Sequence, residues 1–136
     1  MESINKKDFK ILIVDDEESI VNFLKATMED EGFTVLQETN SQAVMDKCKN
    51  SSPHLVILDV KMPVMSGLEV LENIRAWDKK YKILAIFISA YGSEMTDDDK
   101  KLLEKLEVKD FIPKGVSLFE AKERIFKVIK DKYKIV

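Results

Sequence analysis

Five short apolar runs, each followed by a stretch of helical periodicity, constrain this chain more than any other feature of its 136 residues. The runs are Lys10–Val14, Phe33–Gln37, Leu55–Leu58, Ile83–Ile88 and Val108–Pro113. After the first run, Ile20, Phe23, Leu24, Thr27 and Met28 recur at helical spacing, and Gly32 follows Glu31 as a C-terminal cap. Ser41 to Lys49 reads as a helix of modest amphipathicity that stops near Ser51-Ser52-Pro53. Leu68, Leu71 and Ile74 mark a helix that starts near Ser66. Thr96 and Asp99 cap a helix carrying Leu102, Leu103 and Leu106. Ser117 and Glu120 form a capping box for the last helix, whose inner face is Leu118, Ala121, Ile125 and Val128. Strand and helix in regular alternation give βαβ units and a parallel sheet. Right-handed crossovers then place helices on both faces.

The strand order is partly readable. The third and fourth runs are apolar nearly throughout, as strands covered on both faces must be. Pro113 lacks a backbone N–H, so the fifth run belongs at an edge. The short second run suits the other edge. The expected fold is therefore α/β, a (βα)5 doubly wound parallel five-stranded sheet of order 2-1-3-4-5, flavodoxin-like. One domain, residues 1–136 with a core of about 10–132, accounts for the whole chain.

Four of the runs end on polar residues. The first runs into Asp15-Asp16, the third into Asp59, the fourth into Ser89 and the fifth into Lys114. Parallel strands bring these ends to one edge of the sheet, where open α/β sheets bind ligands. Three carboxylates, a hydroxyl and an ammonium suit a divalent cation and a phosphoryl group. Asp59, exposed between a strand end and the Pro63 loop, can act as a nucleophile towards phosphorus and give an aspartyl-phosphate. Attack on an anionic phosphoryl group needs cations nearby. Asp15, Asp16 and Asp59 form a carboxylate nest suited to Mg²⁺. Lys114 adds a positive charge and Ser89 a hydroxyl donor for the equatorial oxygens. Seen singly, each residue has a plainer reading: an Asp pair caps helices, and a lone Asp, Ser or Lys is a turn or surface residue. Their joint occurrence at four strand ends favours the site.

Composition removes several classes. A net charge of -3 gives no electrostatic footprint for nucleic acid. The single Cys48 cannot form an internal disulfide. No apolar run approaches the ~20 residues that span a bilayer, and no signal peptide is visible. These features lead to the expectation of a cytoplasmic protein with no direct nucleic acid binding and no membrane insertion.

The segments Val-Asp-Asp-Glu, Leu-Asp-Val-Lys-Met-Pro-Val-Met-Ser-Gly, Ile-Ser-Ala and Phe-Ile-Pro-Lys make the chain resemble, from about Lys10 to Lys132, a receiver domain of two-component response regulators. The resemblance implies that Asp59 is the phosphoacceptor. It implies that Asp15 and Asp16 hold Mg²⁺, Asp16 the more directly, with the carbonyl of Lys61 completing the protein ligands. Ser89 and Phe111 would form the switch, with Ser89 and Lys114 assisting catalysis. Such a domain accepts a phosphoryl group from a sensor histidine kinase or a histidine phosphotransfer protein and hydrolyses its own product without being a turnover enzyme. It signals to an unidentified downstream protein, and a weak dimer is compatible with it. A stand-alone regulator, a relay intermediate and a piece of a longer regulator all remain open.

The alternative is a constitutive protein-binding module of the same fold that no longer uses the site; the intact cluster argues against it. A flavin carrier would need a Ser/Thr/Gly-rich loop after the first strand, where this chain has acids. An aspartyl phosphatase usually needs a second Asp where this chain has Lys61.

The chain departs from the family in three places. Pro113 precedes Lys114 and Gly115 follows it, where the family has Lys-Pro; Phe111 replaces the usual Tyr; and no Gly-Ala turn precedes the fifth run. A cis Lys114–Gly115 bond would cost ~2.5–4 kcal/mol, so a trans bond is expected, with unusual dihedrals at Gly115 and Lys114 still reaching Asp59. His54 is expected as an exposed turn residue, Cys48 as half-buried and Trp77 as packing.

Overall fold

The computed structural model describes all residues 1–136, and its centre is a five-stranded parallel sheet. In chain order the strands are β1 (Glu2–Ile4), β2 (Lys10–Val14), β3 (Thr34–Glu38), β4 (Leu55–Leu58), β5 (Leu84–Ser89), β6 (Asp110–Pro113) and β7 (Tyr133–Ile135). The helices are α1 (Glu18–Asp30), α2 (Val44–Ser51), α3 (Gly67–Trp77), α4 (Asp97–Lys105) and α5 (Leu118–Lys132). The sheet order is β3-β2-β4-β5-β6. With β2 as the first of the five apolar runs, this is the expected 2-1-3-4-5. No helix is long and apolar enough to cross a membrane.

Alternation along each strand splits the core into two layers. Ile11, Ile13, Leu55, Ile57, Ile86 and Ile88 face one side, against Val21, Leu24 and Met28 of α1 and Ile125, Val128 and Ile129 of α5. Leu12, Val14, Val56, Leu58, Ala85 and Phe87 face the other, against Cys48, Leu71 and Ile74 of α2 and α3. Both faces are covered by helices, which is why β4 and β5 are buried at every position. Pro113 lies exposed at the end of the edge strand β6, where its missing N–H costs nothing.

Several local expectations are corrected. Strands β1 and β7, absent from the sequence reading, pair in parallel as a separate two-stranded ribbon. Each is only three residues long, and its pairing is non-local, so local pattern gives no signal. The segment expected as one helix from Ser41 begins as a 3₁₀ turn, Ser41–Ala43, before α2. β6 starts at Asp110 rather than Val108, because Glu107 takes a left-handed φ of 54° and the Val108 N–H turns back to the Leu103 carbonyl.

The capping box at Thr96 and Asp99 forms in full. At α5 only half forms: the Glu120 N–H donates to Ser117, but the Glu120 carboxylate takes Arg124 instead. Leu118, expected inside, is 37% exposed, whereas Ile129, not named in the expected inner face, is buried. Cys48 is fully buried rather than half-buried, and burial pushes its thiol up to about 11. Trp77 ends α3 and remains 42% exposed, less packed than expected. His54 is no exposed turn residue. Its ring stacks on Phe9 at 5.0 Å between centroids and meets Tyr133 edge-on, while its Nδ1 accepts the Lys10 N–H at 3.0 Å. Burial, and then the Lys10 charge, lower its pKa.

Arg75 of α3 ties the second layer together. Its guanidinium is buried and donates to the Ile83 carbonyl at 2.6 Å, the Leu106 carbonyl at 3.0 Å and Asp78 at 3.3 Å. One side chain thus joins the end of α3, the entry to β5 and the exit of α4. Replacing it with Met would keep the volume but leave a nearly buried carboxylate without its cation. Arg75→Met is expected to cost ~3–5 kcal/mol, read as a lower urea midpoint with an unchanged slope.

Candidate functional site

The strands deliver the polar residues to one edge because the sheet's hydrogen-bond ladder continues past the strand ends. The Asp15 N–H donates to the Glu38 carbonyl at 3.3 Å, the Asp59 N–H to Val14 at 3.1 Å and the Lys114 N–H to Ser89 at 3.1 Å. Each residue is fixed in backbone before its side chain is placed. Gly67, at the start of α3, closes the back of the site. A Cβ there would overlap the Asp59 carbonyl oxygen, and the Gly67 N–H donates to Val60 at 2.8 Å. The intervening loop bends at Val64, whose φ of 71° costs a β-branched residue about 1–2 kcal/mol.

Both oxygens of Asp59 are engaged. Ser89 Oγ donates to Oδ1 at 2.6 Å and Lys114 Nζ to Oδ2 at 2.9 Å. Lys114 also lies 3.2 Å from Asp15 and 2.7 Å from Glu17. Asp15, Asp59 and Ser89 are buried, whereas Asp16 and Glu17 are exposed. The Glu17 N–H donates to Asp15 Oδ1 at 2.9 Å, which orients that carboxylate. A cavity of about 220 Å³ opens above Asp59 and is lined also by Asp16, Glu17, Lys61, Tyr91 and Glu94. Across its mouth, Lys61 Nζ pairs with Glu94 at 2.8 Å and sits 4.7 Å from the Tyr91 ring centre.

The sequence-predicted residues Asp15, Asp59, Ser89 and Lys114 therefore meet. Asp16 and Lys61 line the same cavity. Phe111 lies half-buried, its ring stacked 6.1 Å from that of Phe87 on the second layer. The Lys114–Gly115 bond is trans, as expected. Gly115, expected to supply unusual dihedrals, does not take a positive φ, and a Cβ there would meet open space. Sequence reasoning missed Glu17 and Glu94. Glu17 was visible as a third acid beside the pair, but only its ion pair shows that it serves Lys114 rather than solvent. For Glu94 no local signal exists.

The electrostatics follow from crowding. Burial pushes the Asp15 carboxyl up to about 6; the Glu17 N–H opposes this, the Asp59 charge adds to it and Lys114 opposes it. Burial alone would lower Lys114, but hydrogen bonds to Glu17 and Asp59 and the charges of Asp15 and Asp59 hold its ammonium above the ordinary lysine range. Oxygens of Asp15, Glu17 and Asp59 lie within 4.8 Å of one another. This all-oxygen donor set suits a hard divalent cation.

Asp15 supplies a direct check. Because its folded pKa lies above the usual carboxylate range, its ionised form destabilises the fold, and stability from this group rises as pH falls from above 6 towards the unfolded value of 3.8. Asp59→Asn should lower the Asp15 pKa by removing a like charge, and Lys114→Gln should raise it. Carboxyl ¹³C titration by NMR reads both, and shifts of the opposite sign would contradict the assignment.

Similar proteins share this arrangement of elements. Residues 11–126 match the family model described as response regulator receiver domain. The alkaline phosphatase synthesis transcriptional regulatory protein PhoP of Bacillus subtilis is 32% identical over 121 residues, covering 89% of this chain and 48% of that protein. Sporulation initiation phosphotransferase F of Bacillus subtilis is 35% identical over 94 residues, covering 68% of this chain and 74% of that protein. Among solved structures, the response regulator protein TrrA from Thermotoga maritima, in complex with Mg²⁺-BeF, aligns with a TM-score of 0.74 and 32% identity, covering 88% of this chain and 98% of that one. The chain thus spans about half the length of PhoP and nearly all of TrrA.

Proposed function

The chain belongs to the response regulator receiver domain family, and we propose that Asp59 is the carboxylate through which it is switched. The observation that carries this reading is the pairing of both Asp59 oxygens, one with the Ser89 hydroxyl and one with the Lys114 ammonium. An Asp59 oxygen attacks the phosphorus of a phosphohistidine on a sensor kinase or phosphotransfer protein. The new P–O bond forms as the P–N bond breaks, and the leaving imidazole takes up a proton. Lys114 and Ser89 pass from the carboxylate to the equatorial phosphoryl oxygens, so their charge and dipole are in place where charge develops. Hydrolysis is the same geometry with water attacking phosphorus.

Asp15 and Asp59, with Asp16 at the rim and the Lys61 carbonyl, would hold Mg²⁺, which supplies charge neutralisation at the phosphoryl oxygens. The Mg²⁺-BeF complex of TrrA and the name of the Bacillus phosphotransferase support this reading. The same reading places the protein in the cytoplasm, where kinase and target are met. The downstream partner is a protein.

Intact-mass spectrometry tests the assignment. With Mg²⁺ and acetyl phosphate the protein should gain one phosphoryl group, and Asp59→Asn should gain none, because an amide is no nucleophile. Labelling that survives in Asp59→Asn would sink the assignment.

Signalling needs the new charge to be felt elsewhere. Ser89 already bonds Asp59, and its Oγ accepts the Tyr91 N–H at 3.2 Å, so moving this hydroxyl onto a phosphoryl oxygen draws the following loop with it. Phe111 can then rotate further inward against Phe87, a local electrostatic change biasing a two-state loop and ring. In a beryllofluoride-treated sample, NMR shifts should move at Ala90 to Glu94, at the start of α4 and at Phe111. Changes confined to the Asp15, Asp16 and Asp59 loops would contradict the switch.

A further inference from the structure

We infer that Glu17 is a positioning residue that competes with the incoming phosphoryl group for Lys114, trading speed of phosphorylation for affinity for the cation. The inference rests on the receiver reading above and deepens it. Glu17 makes the shortest contact that Lys114 has, 2.7 Å against 2.9 Å to Asp59 and 3.2 Å to Asp15. It does so from the rim: its side chain is 55% exposed, while that of Lys114 is 14% exposed. The carboxylate makes no other hydrogen bond or ion pair. It sits at the N-cap position of α1 but makes no side-chain cap hydrogen bond. What positions Asp15 is the backbone N–H of Glu17, which substitution leaves in place.

Two consequences of opposite sign follow. For Lys114 to reach a phosphoryl oxygen, it must weaken its hold on Glu17, and the approaching group itself is repelled by the Glu17 charge. Glu17 therefore slows transfer. For a cation, the same carboxylate is attractive, since its oxygen lies within 4.8 Å of those of Asp15 and Asp59. Glu17 therefore tightens cation binding. A residue that merely supported the fold would move both quantities in the unfavourable direction.

The test compares wild type with Glu17→Gln, an isosteric change at an exposed position. Mg²⁺ affinity is measured by calorimetry without donor, and labelling by acetyl phosphate is timed by intact mass at saturating Mg²⁺. For a partly exposed pair the expected effects are roughly two- to fivefold: weaker Mg²⁺ binding together with faster labelling. Both should shrink in high salt, because exposed charges are screened. Labelling that is unchanged or slower in Glu17→Gln overturns the role of Glu17 and leaves the receiver reading intact. Failure of wild type itself to label overturns both.

Discussion

A parallel sheet covered on both faces leaves polar side chains only two places to emerge, its two ends. The candidate site is built on that constraint. The central strands β4 and β5 are buried at every position, so Asp59 becomes polar at the first residue past its strand, and Ser89 at the last residue of its own. The ladder bonds that continue beyond β2, β4 and β6 hold Asp15, Asp59 and Lys114 at fixed backbone positions. Their side chains need only short reaches to meet. The glycine at the start of α3 lets a helix terminus press against the Asp59 carbonyl, which no residue with a Cβ could allow.

The site gathers more negative charge than a folded protein would choose for stability. Asp15 is held ionisable only near neutral pH, and Lys114 is shared among three carboxylates rather than paired with one. Such a cluster is tolerated because the surrounding layers are tightly packed and Arg75 stitches the second layer at three points. A divalent cation would offset this excess negative charge, whereas an anionic phosphoryl group would add to it. The rim pair of Lys61 and Glu94 stands across the entrance, with Tyr91 beneath it.

The fold was legible because hydrophobic period and turn chemistry agree along most of the chain. Leu55–Leu58 matches its expected strand to the residue, and Thr96 with Asp99 forms the expected reciprocal cap. The site was legible where residues follow strands, since topology alone brings strand ends together. What could not be read depends on distant partners. His54 looks like a turn residue until Phe9, Tyr133 and the Lys10 N–H surround it. Leu118 has the right helical phase, yet at the first turn of α5 it lies beyond the edge of the core. Glu17 is one acid in a run of four, Asp15 to Glu18; only space shows that its ammonium partner is Lys114, far along the chain.

The ribbon of β1 and β7 has a mechanical consequence. The two strands run parallel, with Glu2 opposite Tyr133 and Ile4 opposite Ile135, and the Val136 N–H adds a bond to the Ile4 carbonyl. Tension between residues 1 and 136 would pull these strands along their own length in opposite directions. Every bond of the ribbon would then be loaded at once, in shear, rather than opened one after another as in a zipper. The aromatic cluster of Phe9, His54 and Tyr133 lies directly beneath and would resist the sliding. The weakest-looking element of the fold is thus the clasp that keeps a pull on the chain ends from reaching the sheet.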